Sequence, residues 1–383
     1  MKVRIAVTGL GVVSSAGIGI EAFWNSLLNG VPENGFSIED FDPLPFFAGN
    51  AKEARRADRF QQLALAATHE AITQAGDFIM DPSAVGSMIG TGVGGLGTLE
   101  NQVKVLLDKG PRRVSPFLVP MMMANAASAS VSMTYGLQGP CETIVTACAA
   151  GTHSIGRAAE LIRSGKVKAM VAGGAEATLT PIGTQGFLNM TAVSNEGISR
   201  PFDTQRDGFM QSEGAGVLIL EEWDHAVSRG ADVLAELLGS GSTADAHHIT
   251  APAPGGNGAV RCMEMALNDA GLIPSDIGQV NAHGTSTPLN DAAEAQAISR
   301  VFGNPEDTKY KSAAIPIKDQ CLIEIDELPD GAAIRSSEPG YLLPGISMVS
   351  FLAYDNVYRD SLIYQCNLTH LKGKKCSIIH GNE

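Results

Sequence analysis

Val145-Thr146-Ala147-Cys148-Ala149-Ala150-Gly151 stands between an apolar, β-like run that ends at Val145 and a helical pattern that starts at once. Ile155, Ala158, Ala159 and Ile162 recur at helical spacing, and Ser164-Gly165 punctuates the end. Strand followed directly by helix is the beat of an α/β protein, and it sets Cys148 at or near a helix N-terminus. Unpaired amides and the positive end of the helix dipole stabilise a thiolate there, which is the reactive form of cysteine. Taken alone, a cysteine is more often a small apolar core residue. The rest of the chain decides between the two.

Outward from Cys148 the same alternation continues. Val3 to Thr8 reads as a strand, Gly9-Leu10-Gly11 as a turn, and Glu21 to Leu28 as a helix. Arg59 to Gln74 reads as a helix with Phe60, Leu63, Ala64, Ala67, Ala71 and Ile72 on one face. Val85 to Ile89 is strand-like and opens into Gly90-Thr91-Gly92-Val93-Gly94-Gly95. Ala169 to Ala172 is a strand stopped by Gly173-Gly174, and Val217 to Leu220 is another. Near residue 231 the rhythm restarts, with a strand at Val233 to Leu238, a helix from Asn257 to Ala270 and a strand at Gln279 to Ala282. Such alternation favours parallel sheets under helical cover, arranged as two similar halves.

The chain has 383 residues, 44% hydrophobic content and 43 glycines, which indicates a compact α/β protein rich in tight turns. No window is apolar enough to span a bilayer, and Met1-Lys2-Val3-Arg4 leads into a strand rather than a signal peptide, so a cytoplasmic protein with no membrane partner is expected. Six scattered cysteines without a Cys-x-x-Cys pair suggest neither a zinc site nor a disulfide framework. A formal charge of −14 argues against nucleic acid as a partner.

Asn281-Ala282-His283-Gly284-Thr285-Ser286-Thr287-Pro288 is the second chemical feature. Loops past the carboxyl ends of strands form the ligand crevice in α/β sheets, so His283 lies where a reacting side chain belongs. A turn histidine that caps backbone is the plainer reading. A helix-end thiolate and a strand-end imidazole together suit acyl transfer, which needs a sulfur nucleophile and a group that handles protons.

Those residues, with Val171-Ala172-Gly173-Gly174-Ala175-Glu176, Arg200-Pro201-Phe202-Asp203, Arg206-Asp207-Gly208-Phe209 and Glu213-Gly214-Ala215-Gly216, resemble the beta-ketoacyl-[acyl carrier protein] synthases. The type II elongating condensing enzymes, acyltransferases of fatty acid biosynthesis, are the nearest pattern. The resemblance covers roughly residues 1–303. It implies a thiolase fold: two pseudo-duplicated βαβαβ halves in a five-layered α-β-α-β-α arrangement, usually a homodimer. Residues 1–230 would form the N-terminal half with the nucleophile Cys148, and 231–303 the start of a C-terminal half with His283. Cys148 would take an acyl group from a carrier-protein thioester, and its own amide would be the first oxyanion donor. His283 would support decarboxylation of malonyl-carrier protein and stabilise the enolate. Thr285 and Thr287 match threonines that hydrogen-bond the pantetheine arm, which belongs to the substrate, so no cofactor or metal is implied. Asp291 and Glu294 match an acidic pair that orders the site, and equally read as acids in the first turn of a helix. Met121-Met122-Met123-Ala124-Asn125, with the small residues Ala126 to Ser130, resembles the segment lining the acyl tunnel; a plainly packed helix is the alternative. Arg112, Arg113 and Arg206 are the candidate cations for docking an acidic carrier protein.

The pattern stops near Gly303. Residues 304–383 hold five of the six tyrosines and only five of the 43 glycines. They lack the family's lysine-containing strand, its Gly-His motif with a second histidine, and its Gly-Phe-Gly-Gly loop with the second oxyanion donor. His370 and His380 have other contexts, as do Lys309 and Lys311. An atypical tail, foreign to an otherwise intact synthase, is the reading. Two other functions fit parts of the chain. Gly90–Gly95 satisfies the G-x-G-x-x-G pattern of an NAD(P)-dependent oxidoreductase, though no acidic strand-end residue follows at the required distance. A catalytically crippled or non-catalytic partner subunit of a condensing enzyme would fit the tail, but such subunits usually lack the nucleophile.

Overall fold

The computed structural model describes residues 2–29 and 36–303 in full, and beyond them the backbone of two strands at 311–317 and 321–327. The strands are β1 (Ile5–Ser14), β2 (Gly17–Ile18), β3 (Val85–Gly90), β4 (Cys141–Glu142), β5 (Ala169–Glu176), β6 (Gly214–Glu222), β7 (Ala235–Glu236), β8 (Lys311–Ile317) and β9 (Cys321–Glu327). The α-helices are α1 (Ile20–Asn29), α2 (Ala51–Ala54), α3 (Arg59–Ala75), α4 (Leu96–Lys109), α5 (Leu118–Met122), α6 (Ala126–Tyr135), α7 (Ala150–Arg163), α8 (Pro181–Asn189), α9 (Trp223–Ser228), α10 (Asn257–Ala270) and α11 (Pro288–Phe302).

One seven-stranded sheet runs β2-β1-β6-β5-β3-β4, with β7 added against β1. Period-two alternation divides its side chains between two cores. Val171, Val217 and Ile219 face Phe60, Leu63 and Ala67 of α3 and Val131 of α6. Met170, Ala172, Leu218 and Leu220 face Ile155, Ala158, Ala159 and Ile162 of α7. Each large side chain buried this way contributes about 1.5–3 kcal/mol, so the two helical layers hold the sheet from both sides.

The sheet is mixed rather than parallel. β3 runs parallel to β4 and β5, whereas β6 is antiparallel to both β5 and β1. A strand covered by helices on both faces is apolar throughout whichever way it points, so Val217 to Leu220 carries no directional signal.

Two glycine pairs read as breaks lie inside strands. β1 continues through Gly9 and Gly11, because a Cβ at either would stand 2.1 Å from the Ala71 carbonyl oxygen or 1.9 Å from that of Ala67. These glycines let α3 lie directly on the strand. β5 continues through Gly173 and Gly174 to Glu176. A Cβ on Gly174 would come within 3.0 Å of Gly151 Cα, and one on Gly90 within 2.4 Å of the Ala150 oxygen. Backbone without side chains thus seats the first turn of α7 on the sheet and fixes where Cys148 emerges.

In the second half α10 has the expected bounds, but Val233 to Leu238 contributes only β7 to a ladder, and Gln279 to Ala282 forms no strand. The amides just past it are taken by a side chain instead, and no strand among the described residues lies beside it. β8 and β9 pair antiparallel as a two-stranded sheet of their own. The remainder of the 304–383 tail, with His370, His380 and Lys309, lies outside the described residues.

Candidate active site

The chain reaches Cys148 through a forced bend. Ala147 has φ +52°, a left-handed conformation that costs an L-residue about 1–2 kcal/mol. Ala147–Ala149 then form a short 3-10 turn, closed by the Ala149 N–H donating to the Thr146 carbonyl at 3.2 Å, and α7 begins at Ala150. The bend leaves Cys148 exposed, ahead of the helix N-terminus. The structure therefore overrules the plainer reading of a buried core cysteine.

His283 is hydrogen-bonded to the sulfur of Cys148 across the two halves of the chain. That bond is the main reason the Cys148 thiol is held below its usual range; the protein atoms crowded around the sulfur, although the residue is open to solvent, oppose the shift, and the Cys148 amide, directed at its own sulfur, assists it. The same bond raises the His283 imidazole above its usual range, with further help from the charges of Glu294 and Asp291. Each group favours the charged form of the other, so thiolate is easier to form at Cys148 than at an ordinary cysteine.

Two motifs hold the His283 loop. The Ser286 hydroxyl accepts the Arg200 N–H at 2.9 Å, and its carbonyl accepts the Gly208 N–H at 2.9 Å. Asp291, 1% exposed, accepts the Phe202 N–H at 2.8 Å, and Phe202 itself has φ +62°. Arg200-Pro201-Phe202 and Arg206-Asp207-Gly208 thus form the cradle on which the loop rests. Glu294 accepts two main-chain N–H groups of the loop, from His283 and Gly284. The hydroxyls of Thr285 and Thr287 lie 2.8 Å apart, and that of Thr285 reaches Asp291 at 3.5 Å. The structure therefore brings Cys148, His283, Thr285, Thr287, Asp291 and Glu294 into one region.

Glu176, at the end of β5, is a member of the site that its motif did not single out. Its carboxylate accepts the Gly92 N–H at 2.7 Å and the Thr91 hydroxyl at 3.3 Å. Burial pushes its pKa up, and its charge opposes ionisation of Cys148. The glycine-rich turn has its amides already engaged: the Gly92 N–H donates to Glu176, the Gly94 N–H to the Thr91 hydroxyl and the Gly95 N–H to the Met122 carbonyl. The strand-turn-helix at Gly90–Gly95 has the outline of a dinucleotide site, but its donors are consumed internally.

Other candidates are placed apart. Arg112 and Arg113 are exposed on a 3-10 turn after α4. Arg206 is turned inward, donating to the carbonyls of Asp203, Thr287 and Pro288 and lying 3.6 Å from Asp291, so it braces the loop instead of presenting an open cation. Ala126, Ala127 and Ser128 are buried in the core between α6 and the sheet, as a packed helix requires, while Met123 is 42% exposed. Among the described residues no cluster of His, Cys, Asp and Glu could hold a metal ion, and no helix is long and apolar enough to cross a membrane.

Comparison with known proteins bears on this arrangement. Models described as the beta-ketoacyl synthase N-terminal and C-terminal domains match residues 31–226 and 234–318. A Synechocystis protein named 3-oxoacyl-[acyl-carrier-protein] synthase 2 is 44% identical over 327 residues, covering 79% of this chain and 78% of its own. A Staphylococcus aureus protein of the same name is 44% identical over 321 residues, covering 78% and 77%. Among solved structures, a beta-ketoacyl synthase from Burkholderia phymatum superposes with a TM-score of 0.69 at 32% identity, covering 79% of each chain. A structure described as a type II PKS acyl-carrier protein in complex with its ketosynthase gives the same TM-score, identity and coverage.

Proposed function

The chain belongs to the beta-ketoacyl synthase family, and from that premise we propose that Cys148 carries the acyl group and His283 serves the same sulfur and the incoming nucleophile. The protein is a 3-oxoacyl-[acyl-carrier-protein] synthase, an acyltransferase of fatty acid biosynthesis with the thiolase fold. The hydrogen bond between Cys148 and His283 is the single observation that carries the assignment of roles.

The Cys148 thiolate attacks the carbonyl carbon of an acyl-carrier thioester. The bond from that carbon to the carrier sulfur breaks, and the carrier leaves as a thiolate that takes a proton from solvent. Malonyl-carrier protein then loses CO2; the electrons of the broken C–C bond form an enolate, which attacks the acyl carbon on Cys148. The C–S bond to Cys148 breaks and the thiolate returns, stabilised again by His283. The Cys148 N–H is the first donor to the oxyanion of each tetrahedral intermediate, and such a donor lowers the barrier by about 3 kcal/mol. Thr285 and Thr287 bind the pantetheine arm, with Asp291 and Glu294 holding their loop. No cofactor or metal takes part. Residues 1–230 form the half with the nucleophile and 231–303 the start of the half with His283, in a cytoplasmic homodimer that meets acyl carrier protein near Arg112 and Arg113.

The test is intact-protein mass after incubation with an acyl-carrier thioester, followed by addition of malonyl-carrier protein. The reading expects an acyl adduct lost in C148A, then a 3-oxoacyl product. Acylation without product would identify a crippled synthase; no adduct would favour a non-catalytic partner subunit.

A further inference from the structure

We propose that His153 is a positioning residue that bridges the nucleophile's bend to the second half of the chain and so sets the register of Cys148 against His283. This rests on Cys148 being the nucleophile, but the bridge is visible in its own right. His153 lies on α7. Its Nδ1 is 2.8 Å from the Thr146 hydroxyl, two residues ahead of Cys148, and its Nε2 is 3.2 Å from the Ser242 hydroxyl. A neutral imidazole has one donor and one acceptor nitrogen, and a hydroxyl can complement either, so both bonds form whichever tautomer is present.

Each end of the bridge is fixed. Thr146 is also held through its carbonyl by Ala149, and the next residue is the left-handed Ala147, so a shift of Thr146 moves the sulfur directly. Ser242 lies on a segment wedged between α7 and α10. A Cβ on Gly156 of α7 would be 3.1 Å from Ser240 Cβ, and a Cβ on Gly241 would be 2.3 Å from the Cys262 carbonyl of α10. The Ser240 N–H donates to Asp269 at 2.9 Å, and the Thr243 hydroxyl donates to the Gly258 carbonyl at 2.8 Å. The segment therefore has no freedom to slide.

From there the contacts run on to His283. A Cβ on Gly256, just ahead of α10, would be 2.3 Å from the Ala293 carbonyl of α11. The adjacent residue, Glu294, grips the His283 backbone. Thr146, His153, Ser242, α10, α11 and Glu294 thus form a path around the pair; Arg163 also joins α7 to Leu237, Leu238 and Asp269, and His153 is the polar link nearest the nucleophile's bend.

The experiment follows Cys148 itself, independently of any carrier or acyl substrate. In the full-length protein, the rate of Cys148 modification by iodoacetamide is measured against pH, with C148A correcting for the other five cysteines, and melting temperature is recorded in parallel. H153F keeps a planar ring and removes both bonds. It is expected to melt near the parent yet to raise the pH midpoint and slow modification at neutral pH about tenfold, one unit of thiol pKa. S242A and H153Q, which preserves a polar group toward Ser242, should fall between parent and H153F. S242A added to H153F should change nothing further. A midpoint and rate within twofold of the parent in H153F overturn the proposal, as does full additivity of the double variant. Should H153F fail to fold, unchanged midpoints in both S242A and H153Q overturn it equally. Failure of the condensing function would appear as a parent protein that is alkylated normally but never acylated.

Discussion

Glu294 closes on the main chain of His283: one carboxylate oxygen accepts the His283 N–H at 2.6 Å and the other the Gly284 N–H at 2.9 Å. A side chain from the second turn of a helix thereby does what a neighbouring strand would do, and the Asn290 amide at 3.2 Å holds the carboxylate in turn. E294A leaves two amides without an acceptor, which costs about 1–3 kcal/mol in local order. We expect condensation to fall by about 10- to 100-fold through misplacement of the ring, with E294Q intermediate. Steady-state rates of both variants beside the parent check this.

The coupling of Cys148 to His283 fixes the sign of a pH effect. The thiol is lowered and the imidazole raised, each chiefly by the other. Modification of Cys148 in the parent should therefore begin at a lower pH than for an ordinary thiol. H283A removes the largest cause of the lowering and moves that onset upward. A pH series of alkylation rates reads it; an unmoved onset would disprove the coupling.

Glu221 gives a second pH dependence, in stability. It is fully buried; burial alone would raise its pKa, but Arg229 at 2.6 and 2.9 Å, Thr8 at 2.5 Å and His225 at 2.7 Å outweigh that and lower it. A lowered carboxyl stabilises the fold above its unfolded pKa and ceases to do so as pH falls through the folded value. E221A leaves Arg229 buried without its partner and should cost about 3–5 kcal/mol near neutrality. The difference from the parent should shrink in acid, as chemical denaturation at two pH values would reveal.

Close contact at β1 is testable by adding one methyl group. The Cβ created in G11A would lie 1.9 Å from the Ala67 carbonyl oxygen, so α3 must move off the strand, at about 1–3 kcal/mol or more. G216A on the neighbouring β6 meets nothing within 4 Å and should stay within about 0.5 kcal/mol of the parent. Melting temperatures of the two variants decide whether the glycine is there for contact or merely for chain freedom.

What was legible in the sequence was local. The helical stripe from Ile155 to Ile162 and the Asn257–Ala270 helix were both readable, because periodicity within one element encodes them. Cys148 and His283 stood out because their types and flanks carry chemistry. Gly9, Gly11, Gly173 and Gly174 misled, since a glycine placed for a close neighbour looks the same as one placed for a turn until the neighbour is known. The bracing role of Arg200 and Phe202 was hidden for the same reason: their partners, Ser286 and Asp291, lie more than eighty residues on. Gln279 to Ala282 has strand composition, but a strand exists only where another lies beside it.

The carboxylate of Glu176 also occupies the glycine-rich turn against outside ligands. An anion from solution would have to evict a rival that is tethered beside the site and never diluted. The amides beneath the reactive sulfur are thus matched in advance by groups of the chain itself.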